Sequence, residues 1–440
     1  MARERHRLPA REGHQGLPRL LAGLGPGAGA MTLSDHERIH GPLPAVGRAL
    51  IDEIGQSGLR GRGGADFPTA VKLDAVARRR RAGAVVVNAS ETEPASAKDR
   101  LLISRLPHLV LDGAVLAAQL CGAREVLVKL GPGMPAESVE AAISVRPGDA
   151  VPIGVFAGAE GYVTGEESAV INSLNGGPAV PTLVPPRPFE RGYRGRPTLI
   201  QNPETLAQIA LIARFGADWF RELGTAADPG SALVTISGAV SSPGVYELAF
   251  GTPMTDLLAA AGGPTENLRA MLVGGYFGTW VEVERAVNLR LAREDLRSVG
   301  CSLGSGVLIA LVESACGLHE SARVIDYLAR ESAGQCGPCV YGLRAIADGV
   351  AAMAAGTASP GERGRVLRWT REVRGRGACH HPDGAVRFVQ STLSVFADEI
   401  EGHVGARCRA VPAGLPVGAS APAAAEPVGA ASASRGPLWS

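Results

Sequence analysis

The sequence is poor in aromatic residues and has almost no excess of charge of either sign. Of its 440 residues, 4% are aromatic, and 44 basic side chains against 43 acidic ones leave a net charge of +1. This balance excludes a strongly basic nucleic-acid-binding protein, and few rings are available to stack on bases. No run of 18 apolar residues is present, which argues against membrane insertion. A hydrophobic content of 45% is typical of a globular protein, here of roughly two to four domains.

Lysine is scarce, and cysteine is scattered along the chain. The three lysines are Lys72, Lys98 and Lys129, so arginine carries almost all of the positive charge. The seven cysteines are too few and too widely spaced for the disulfide framework of a small secreted domain. Their odd number and the close pair Cys336 and Cys339 predict a reducing compartment and a metal site. We therefore expect a cytoplasmic protein.

The two ends of the chain have compositions that favour disorder. We predict a disordered leader over residues 1–45, because its first 30 residues are rich in Gly, Pro and Arg and contain no convincing signal peptide. Met31 opens a cleaner segment and is an alternative start of the protein. Residues 409–440 are almost entirely Ala, Pro, Gly, Ser and Val, which predicts a disordered tail.

Three blocks with different sequence patterns lie between these ends. Residues 46–228 alternate short Val/Ile runs with helical stretches and glycine turns, which predicts an α/β domain with a parallel or mixed sheet. Residues 229–305 contain two strand-like runs and a short helix, which predicts a small β-grasp-like module. Residues 306–408 carry apolar side chains at helical spacing and predict a C-terminal helical bundle.

A glycine-rich segment, SGLRGRGGADFPTAVK, is the first motif with chemical content. Gly61, Gly63 and Gly64 expose backbone N–H groups and allow close approach, which suits a phosphate group or a flat ring. Lys72 follows at a predicted helix start and places one positive charge nearby. A purely structural turn uses glycine for the same reason, so this segment alone leaves both interpretations open.

Two further motifs carry carboxylates. In VVVNASETEPASAKDR, a strand leads into Asn88, Glu91 and Glu93, at the end where open α/β sheets bind ligands. In GAEGYVTGEESAVINSLNG, Glu166 and Glu167 precede a predicted helix. Each group has a simpler interpretation, since the first motif is also typical of a solvated loop and acidic residues at a helix N-terminus stabilise the helix dipole.

The fourth motif consists of cysteines. ESAGQCGPC contains Cys336 and Cys339, and Cys379 follows forty residues later in GACHHPDG. A Cys-x-x-Cys pair with a distant third cysteine is typical of a zinc site or an iron–sulfur cluster, because thiolates bind soft metals. A redox-active disulfide remains the alternative at this point.

Together, the four motifs resemble those of the FMN-binding 51-kDa or F subunit of NADH-quinone oxidoreductase (respiratory complex I), a family also found in hydrogenases and formate dehydrogenases. Its pattern is a GRGGAGFPTG loop, an NADEGEP strand end, a GEETALLNS segment and an ESCGxCxPC cluster motif, and the resemblance covers about residues 48–405. It implies a Rossmann-like FMN domain, a soluble-ligand-binding β-grasp (SLBB) module and a helical bundle with one [4Fe–4S] cluster. The implied activity is that of an NADH dehydrogenase-like flavoprotein, in which NADH reduces FMN and electrons leave through the cluster.

The resemblance also implies roles for individual residues. Glu93 and Glu167 are the implied catalytic residues. The implied metal ligands are Cys336, Cys339 and Cys379. The implied cofactor-binding residues are Gly61, Gly63, Gly64, Phe67, Lys72, Asn88, Glu91, Tyr162, Gly165, Glu166 and Asn202.

Several residues depart from the family pattern. Ser90 replaces an aspartate, and Asp66 replaces a glycine and adds a negative charge beside the expected dinucleotide site. The aromatic clamp expected around Phe67 has lost two members, and a basic residue is also missing, which predicts weak binding of NADH. Ala75 and Arg187 stand at the two aromatic positions, and Val184 stands at the basic position.

In the cluster motif, Ala333 replaces the first cysteine. We therefore expect a labile [4Fe–4S] or [3Fe–4S] cluster. Its fourth ligand would come from solvent or from one of four side chains, which are His380, His381, Cys316 and Cys408.

The sequence therefore favours an FMN-dependent electron-transfer enzyme with a ferredoxin-like or other electron-transfer subunit as its partner, cytoplasmic or peripheral to a membrane complex. The alternative is a non-catalytic relative that serves as an assembly or binding protein and holds zinc at Cys336, Cys339 and Cys379.

Overall fold

A computed structural model describes residues 16–25, 27–79, 82–406, 408 and 412–417. Its first sheet is parallel, with the strand order β3-β2-β1-β4, and belongs to the α/β domain. The strands are β1 (Ala84–Ala89), β2 (Val126–Leu130), β3 (Ile153–Ala157) and β4 (Thr198–Gln201). The apolar run of β1 is buried and lies between β2 and β4, so the polar residues after it emerge at the carboxyl edge of the sheet.

Eight helices of the described chain surround this sheet. They are α1 (Leu33–His40), α2 (Ala49–Ser57), α3 (Thr69–Ala77), α4 (Lys98–Arg105), α5 (Pro107–Cys121), α6 (Ala136–Ser144), α7 (Glu167–Leu174) and α8 (Pro203–Arg221). Helices α5 and α8 pack so closely that a Cβ at Gly113 would lie 1.9 Å from the Leu206 carbonyl oxygen. No single described helix has the length and apolar composition to cross a membrane; α4 and α5 pass that test only as a pair bent by 95°.

The second sheet has five strands in the order β6-β5-β9-β7-β8. Its elements are β5 (Ser231–Gly238), β6 (Gly244–Ala249), α9 (Met254–Ala260), β7 (Leu268–Val273), β8 (Thr279–Glu282), α10 (Val283–Ala286), α11 (Arg293–Ser298) and β9 (Val307–Val312). The predicted boundary of this module at residue 305 is wrong, because β9 is the central strand. The apolar run VLIALV pairs with β5 on one side and with β7 on the other.

Helices form the last part of the fold, as predicted. They are α12 (Gly317–Arg330), α13 (Arg344–Ala354), α14 (Glu362–Val373), α15 (His381–Val395) and α16 (Ala397–Gly402). A π-helical turn, Pro338–Leu343, precedes α13 and carries Cys339. The apolar side chains at helical spacing, such as Ile346, Val386 and Phe396, lie in the core of this bundle.

The disorder predicted for the leader is wrong for residues 16–25 and 27–45, while residues 1–15 and 26 lie outside the described chain. Leu20 is fully buried, and α1 begins after Thr32, whose side chain accepts a hydrogen bond from the Asp35 N–H. The Arg19 guanidinium lies 3.8 Å from the Trp219 ring centre, and the Arg19 N–H donates to Glu247 Oε2 at 2.8 Å. Glu247 lies in β6, so this segment joins the α/β domain to the second sheet.

The disorder predicted for the tail is wrong for residues 412–417, whereas 409–411 and 418–440 lie outside the described chain. Leu415 is 3% exposed, and its N–H donates to Glu320 Oε2 at 3.0 Å. The Gly414 N–H donates to the other carboxylate oxygen at 3.1 Å. The described part of the tail is therefore held against α12.

Candidate functional site

A polar cavity lies at the carboxyl end of β1, where the sequence placed the ligand site. Its walls come from the glycine-rich loop, from the segment after β1, from the turn before α7 and from the start of α8. The structure brings six of the predicted residues together in this lining, namely Gly63, Asn88, Glu91, Glu93, Gly165 and Asn202.

A chain of hydrogen bonds orients Asn88 in this cavity. Lys129 Nζ donates to Ser90 Oγ at 2.7 Å, and Ser90 Oγ donates to Asn88 Oδ1 at 2.6 Å. Asn88 Nδ2 then donates to the Gly165 carbonyl oxygen at 2.9 Å. Lys129 is fully buried, and burial lowers its pKa to about 8. Sequence reasoning assigned it no role, although a lysine inside the apolar run VLVKL was the available signal.

Glu93 is buried between the cavity and the second sheet. Its Oε2 accepts hydrogen bonds from the Tyr162 hydroxyl at 3.0 Å and from the Tyr276 N–H at 2.8 Å. Its Oε1 is buried without a hydrogen-bond partner among the described residues. Burial raises the pKa of Glu93 to about 7. This buried carboxyl group therefore lies at the predicted flavin site, where its raised pKa lets it hold a proton near neutral pH.

Glu91 lines the cavity, but its carboxylate caps helix α4. Glu91 Oε1 accepts from the Asp99 N–H at 2.8 Å and from Ser96 Oγ at 2.9 Å, and Oε2 accepts from the Arg100 N–H at 2.8 Å. Burial, reinforced by the neighbouring Asp99 carboxylate, raises the pKa of Glu91 to about 7. Both oxygens are thus used inside the protein, which the sequence motif did not reveal.

The glycine-rich loop is held by interactions within the protein. The Gly61 N–H donates to the Phe67 carbonyl oxygen at 2.8 Å, and a Cβ at Gly63 would lie 3.2 Å from Asn202 Cβ. Lys98, another residue to which the sequence assigned no role, is buried and donates to the Arg62 carbonyl oxygen at 3.1 Å. Gly61 and Gly64 face a different cavity, between this loop and the second sheet.

That placement corrects the role expected for Asp66. Its Oδ2 lies 3.0 Å from Arg60 Nε and 3.7 Å from Arg293 Nη1, and it lines the cavity on the side of the second sheet. The residue has a φ of +48°, a left-handed conformation that glycine adopts without strain. Two guanidinium groups therefore neutralise Asp66, which gives no support to the expected repulsion of a dinucleotide.

Lys72 and Glu167 form an ion pair with each other, and Lys72 lies outside the lining of the flavin-site cavity. Glu166 caps helix α7, because its Oε2 accepts from the Ser168 N–H at 2.8 Å and the Ala169 N–H at 3.1 Å. The simpler interpretation of this pair of glutamates is therefore correct for Glu166. Glu167 is half-exposed, so the ion pair is open to competition from a ligand.

Asn202 and Phe67 occupy contrasting positions. Asn202 caps α8, since its Oδ1 accepts from the Glu204 N–H at 2.9 Å, and its Nδ2 donates to Asp99 Oδ2 at 2.6 Å. It therefore fixes the start of α8 against α4. Phe67 is 50% exposed, which leaves its ring available for stacking on a ligand.

Tyr162 connects the cavity to the segment that carries the cysteines. Its hydroxyl binds Glu93, and its N–H donates at 2.8 Å to Oε2 of Glu331, the first residue of the cysteine motif. Its ring lies edge-on to His381, with the ring centres 5.8 Å apart. Burial raises the pKa of the Cys379 thiol, and the nearby Glu166 carboxylate adds to the rise. The flavin and metal motifs are thus neighbours in space.

The three predicted metal ligands lie near enough to interact electrostatically, although their sulfur atoms are not all within 4.8 Å of one another. Burial raises the pKa of the Cys339 thiol well above its usual value, and the adjacent Cys336 and Cys379 thiols raise it further. Of the candidate fourth ligands, His381 is buried with Nε2 2.8 Å from the Leu328 carbonyl oxygen, whereas the His380 side chain is 99% exposed.

Cys316 and Cys408 do not serve as the fourth ligand in this arrangement. They lie together with His403 in a separate group of side chains. The donor set near the cysteine motif is therefore three thiols with an alanine in the fourth motif position, which fits an iron–sulfur cluster with one unusual ligand.

The cavity also fits a flavin. The carboxyl group of Glu93 and the oriented amide of Asn88 are polar groups in its lining. A Cβ at Gly165 would lie 3.3 Å from the Ser90 and Thr92 side chains. The absence of a side chain at Gly165 therefore lets the turn before α7 approach the segment after β1. Polar groups fixed by the protein at the carboxyl edge of a parallel sheet suit a flat, hydrogen-bonding cofactor.

Comparison with known proteins agrees with this geometry. The Nuo51 FMN-binding domain matches residues 54–211, the SLBB domain matches residues 233–275, and the NADH-ubiquinone oxidoreductase-F iron-sulfur binding region matches residues 319–403. These matches confirm the predicted order of a flavin domain, an SLBB module and an iron–sulfur region.

Relatives match over most of the chain. The F subunit of NADH-quinone oxidoreductase of Streptomyces coelicolor is 32% identical over 392 residues, covering 84% of this chain and 87% of its own length. The protein of the same name in Rickettsia bellii is 31% identical over 374 residues, covering 81% and 90%. In its air-oxidized crystal structure, NAD+-reducing [NiFe]-hydrogenase matches with a TM-score of 0.76 and 32% identity, over 83% of this chain and 64% of that one. The chain belongs to the family of the NADH-quinone oxidoreductase F subunit.

Proposed function

We propose that this protein is an FMN-dependent electron-transfer enzyme that takes electrons from NADH and passes them to an iron–sulfur cluster. The observation that carries the proposal is the placement of Glu93. Glu93 lines the flavin-site cavity, and its Oε2 binds the hydroxyl of Tyr162, whose N–H donates to Glu331, the first residue of the cysteine motif. When bound, FMN would accept a hydride and release electrons singly.

The protein's own groups would bind and orient the reactants. Asn88 is held by Ser90 and Lys129 and presents its amide at one wall. A pKa of about 7 would let Glu93 hold or release a proton near neutral pH in the lining of the flavin-site cavity. Cys336, Cys339 and Cys379 would hold the cluster in the adjacent segment.

NADH would bind weakly in this proposal. Phe67 remains available for stacking on adenine, but Ala75 and Arg187 stand where the family has aromatic residues. Asp66 would not contribute to this weak binding, because Arg60 and Arg293 neutralise its negative charge.

A partner subunit would accept the electrons, and we propose that it is ferredoxin-like. The relatives are named as subunits of NADH-quinone oxidoreductase, and the turn that carries buried Cys339 also presents Tyr341, which is 77% exposed. We further propose that the protein acts in the cytoplasm, free or peripheral to a membrane complex.

Anaerobic purification followed by flavin, iron and zinc quantification tests this function, together with stopped-flow reduction of bound FMN by increasing NADH. We expect about one FMN per chain, bound iron, and reduction that does not saturate in the micromolar range of NADH. Saturation in that range would contradict weak binding and would indicate an ordinary NADH dehydrogenase. Protein without flavin that holds zinc at Cys336, Cys339 and Cys379 would instead support the non-catalytic alternative.

A further inference from the structure

A second group of metal-ligating side chains lies near the C-terminal end of the described chain. Cys316 stands just before α12, His403 follows α16, and Cys408 comes five residues later. Their ligand atoms all lie within 4.8 Å of one another. Among the described residues, these three form the group of cysteine, histidine or acidic side chains whose ligand atoms are mutually this close.

The separations suit a tetrahedral ion. Cys316 Sγ and His403 Nε2 are 3.9 Å apart. In a tetrahedral zinc site, with Zn–S of about 2.3 Å and Zn–N of about 2.0–2.1 Å, these two atoms are roughly 3.6 Å apart. A shift of a few tenths of an ångström therefore brings both atoms to bonding distance from one ion.

Glu399 lies outside this group of three but is in contact with Cys316. The Cys316 thiol donates a hydrogen bond to Glu399 Oε2 at 3.1 Å, and the Leu318 N–H donates to the same oxygen at 2.8 Å. A metal ion would replace the proton that now lies between the thiol and the carboxylate.

Cys316 is fixed at the start of α12. It is the N-cap residue of this helix, and its Sγ accepts from the His319 N–H at 3.2 Å. Burial raises the pKa of its thiol, and the Glu399 carboxylate adds to the rise, so a bound metal ion would have to displace the thiol proton. Two thiolates, an imidazole and a carboxylate form a donor set that zinc favours.

The site is shielded yet reachable from solvent. Cys316 is 5% exposed and His403 is 8% exposed, while a surface pocket reaches these side chains. Acidic groups on its rim favour entry of a cation. They are Glu313 and Asp398, of which Asp398 pairs with Arg269 at 2.6 Å.

We propose that Cys316, Glu399, His403 and Cys408 bind a structural zinc ion. With Glu399 as the fourth ligand beside the group of three, all four positions around the ion would be filled by protein, which is the arrangement of structural zinc sites. The ion would join the start of α12 to the residues after α16. It would act together with Glu320, which binds the N–H groups of Gly414 and Leu415, to fix the C-terminal segment. This proposal is independent of the proposed electron transfer.

Metal analysis of the anaerobically purified full chain tests the proposal. We expect one zinc per chain in addition to iron, and alkylation of Cys316 and Cys408 only after zinc is removed with a chelator. Exchange of zinc for Co²⁺ should produce thiolate-to-cobalt charge-transfer absorption in the unmutated protein, so this readout does not depend on a variant's folding. Absence of zinc from protein prepared with zinc present, or a disulfide between these two cysteines, would overturn the proposal.

Variants separate this site from the cluster. Cys408→Ser and His403→Gln should lose most of the zinc, and Glu399→Gln should weaken zinc binding about 10- to 100-fold, with FMN and iron unchanged. Glu401→Gln is the matched control, because Glu401 is an exposed carboxylate on the same helix. Loss of iron with retention of zinc in the Cys408 variant would assign Cys408 to the cluster and overturn the proposal.

Discussion

Lys129 donates a hydrogen bond from the centre of the parallel sheet to Ser90, the residue that replaces an aspartate in the family pattern. A buried cation therefore has a neutral partner where a carboxylate was expected, and this partner in turn orients Asn88. The substitution at position 90 changes the partner of Lys129 while preserving a connected network.

Removing the Ser90 hydroxyl should weaken FMN binding. Ser90→Ala breaks the connection between Lys129 and Asn88, and one such hydrogen bond contributes about 0.5–1.5 kcal/mol, so we expect the Kd for FMN to rise about two- to tenfold. Flavin fluorescence during titration of the apoprotein measures this change. Ser144→Ala, at an exposed serine of α6, is the control. An unchanged Kd in Ser90→Ala would show that the network does not position Asn88 for FMN.

Glu93 should make the apoprotein less stable as the pH rises. Its carboxyl group titrates near 4.5 when unfolded and at about 7 when folded, so between these values the folded state holds the extra proton. The free energy of unfolding therefore falls through this window, by at most about 3 kcal/mol. Glu93→Gln removes this loss, and its stability advantage over the parent should be larger at pH 8 than at pH 5. Denaturant unfolding at both pH values is the measurement, and an advantage independent of pH would argue against the raised pKa.

Lys72→Ala should weaken FMN binding if the ammonium group reaches the cofactor phosphate in place of Glu167. A charge-assisted hydrogen bond contributes about 1.5–3 kcal/mol, which corresponds to a Kd increase of roughly one to two orders of magnitude. Equilibrium titration with FMN gives the Kd. Arg78→Ala, which removes an exposed cation at the end of the same helix, serves as the control. Equal affinity in the Lys72 variant and the parent would leave Lys72 with only its ion pair to Glu167.

Ala333→Cys should increase the iron content and the stability of the cluster in air. Cys336, Cys339 and Cys379 supply three thiolates, and a fourth completes the usual set of cluster ligands. Iron analysis and loss of visible absorbance on exposure to air compare the variant with the parent. The same content and the same decay in both proteins would mean that another group already completes the site or that no cluster forms.

Ala75→Phe should strengthen NADH binding by restoring one aromatic partner near Phe67. A stacking contact contributes about 0.5–1.5 kcal/mol, so we expect the NADH concentration for half-maximal FMN reduction to fall about two- to tenfold. Stopped-flow reduction gives this concentration. Val145→Phe adds an aromatic ring at an exposed position after α6 and should leave it unchanged. No difference between Ala75→Phe and this control would mean that position 75 does not contact the dinucleotide.

The sequence predicted the order of the domains because periodicity and motif order are local properties of the chain. The extent of the second sheet was not predictable in the same way. Strand β9 reads as a short apolar run after a glycine turn, and only its pairing with β5 and β7 assigns it to the sheet. The leader likewise looked disordered by composition, whereas burial of Leu20 against distant residues orders part of it.

At the site, motifs located the cavity but did not distinguish ligand-facing groups from structural ones. Glu91 and Glu166 belong to the expected motifs, yet their oxygens cap α4 and α7. Such caps depend on where a helix begins to within one residue, which sequence patterns do not resolve. Lys129 was missed because a single lysine in an apolar strand acquires its meaning from Ser90, which lies on the neighbouring strand's continuation.

The contact between Arg19 and Glu247 has a consequence for any shortened form of this protein. Burial raises the pKa of Glu247, and the N–H groups of Arg19 and Leu21 and the hydroxyl of Ser231 are the donors that satisfy its carboxylate. A chain that began at Met31 would keep Ser231 and lose the two backbone donors. It would also uncover the face of Trp219 that the Arg19 guanidinium now covers. Because Trp219 and Glu247 belong to different domains, residues 19–21 connect the flavin domain to the β-grasp module, and their removal would weaken that connection.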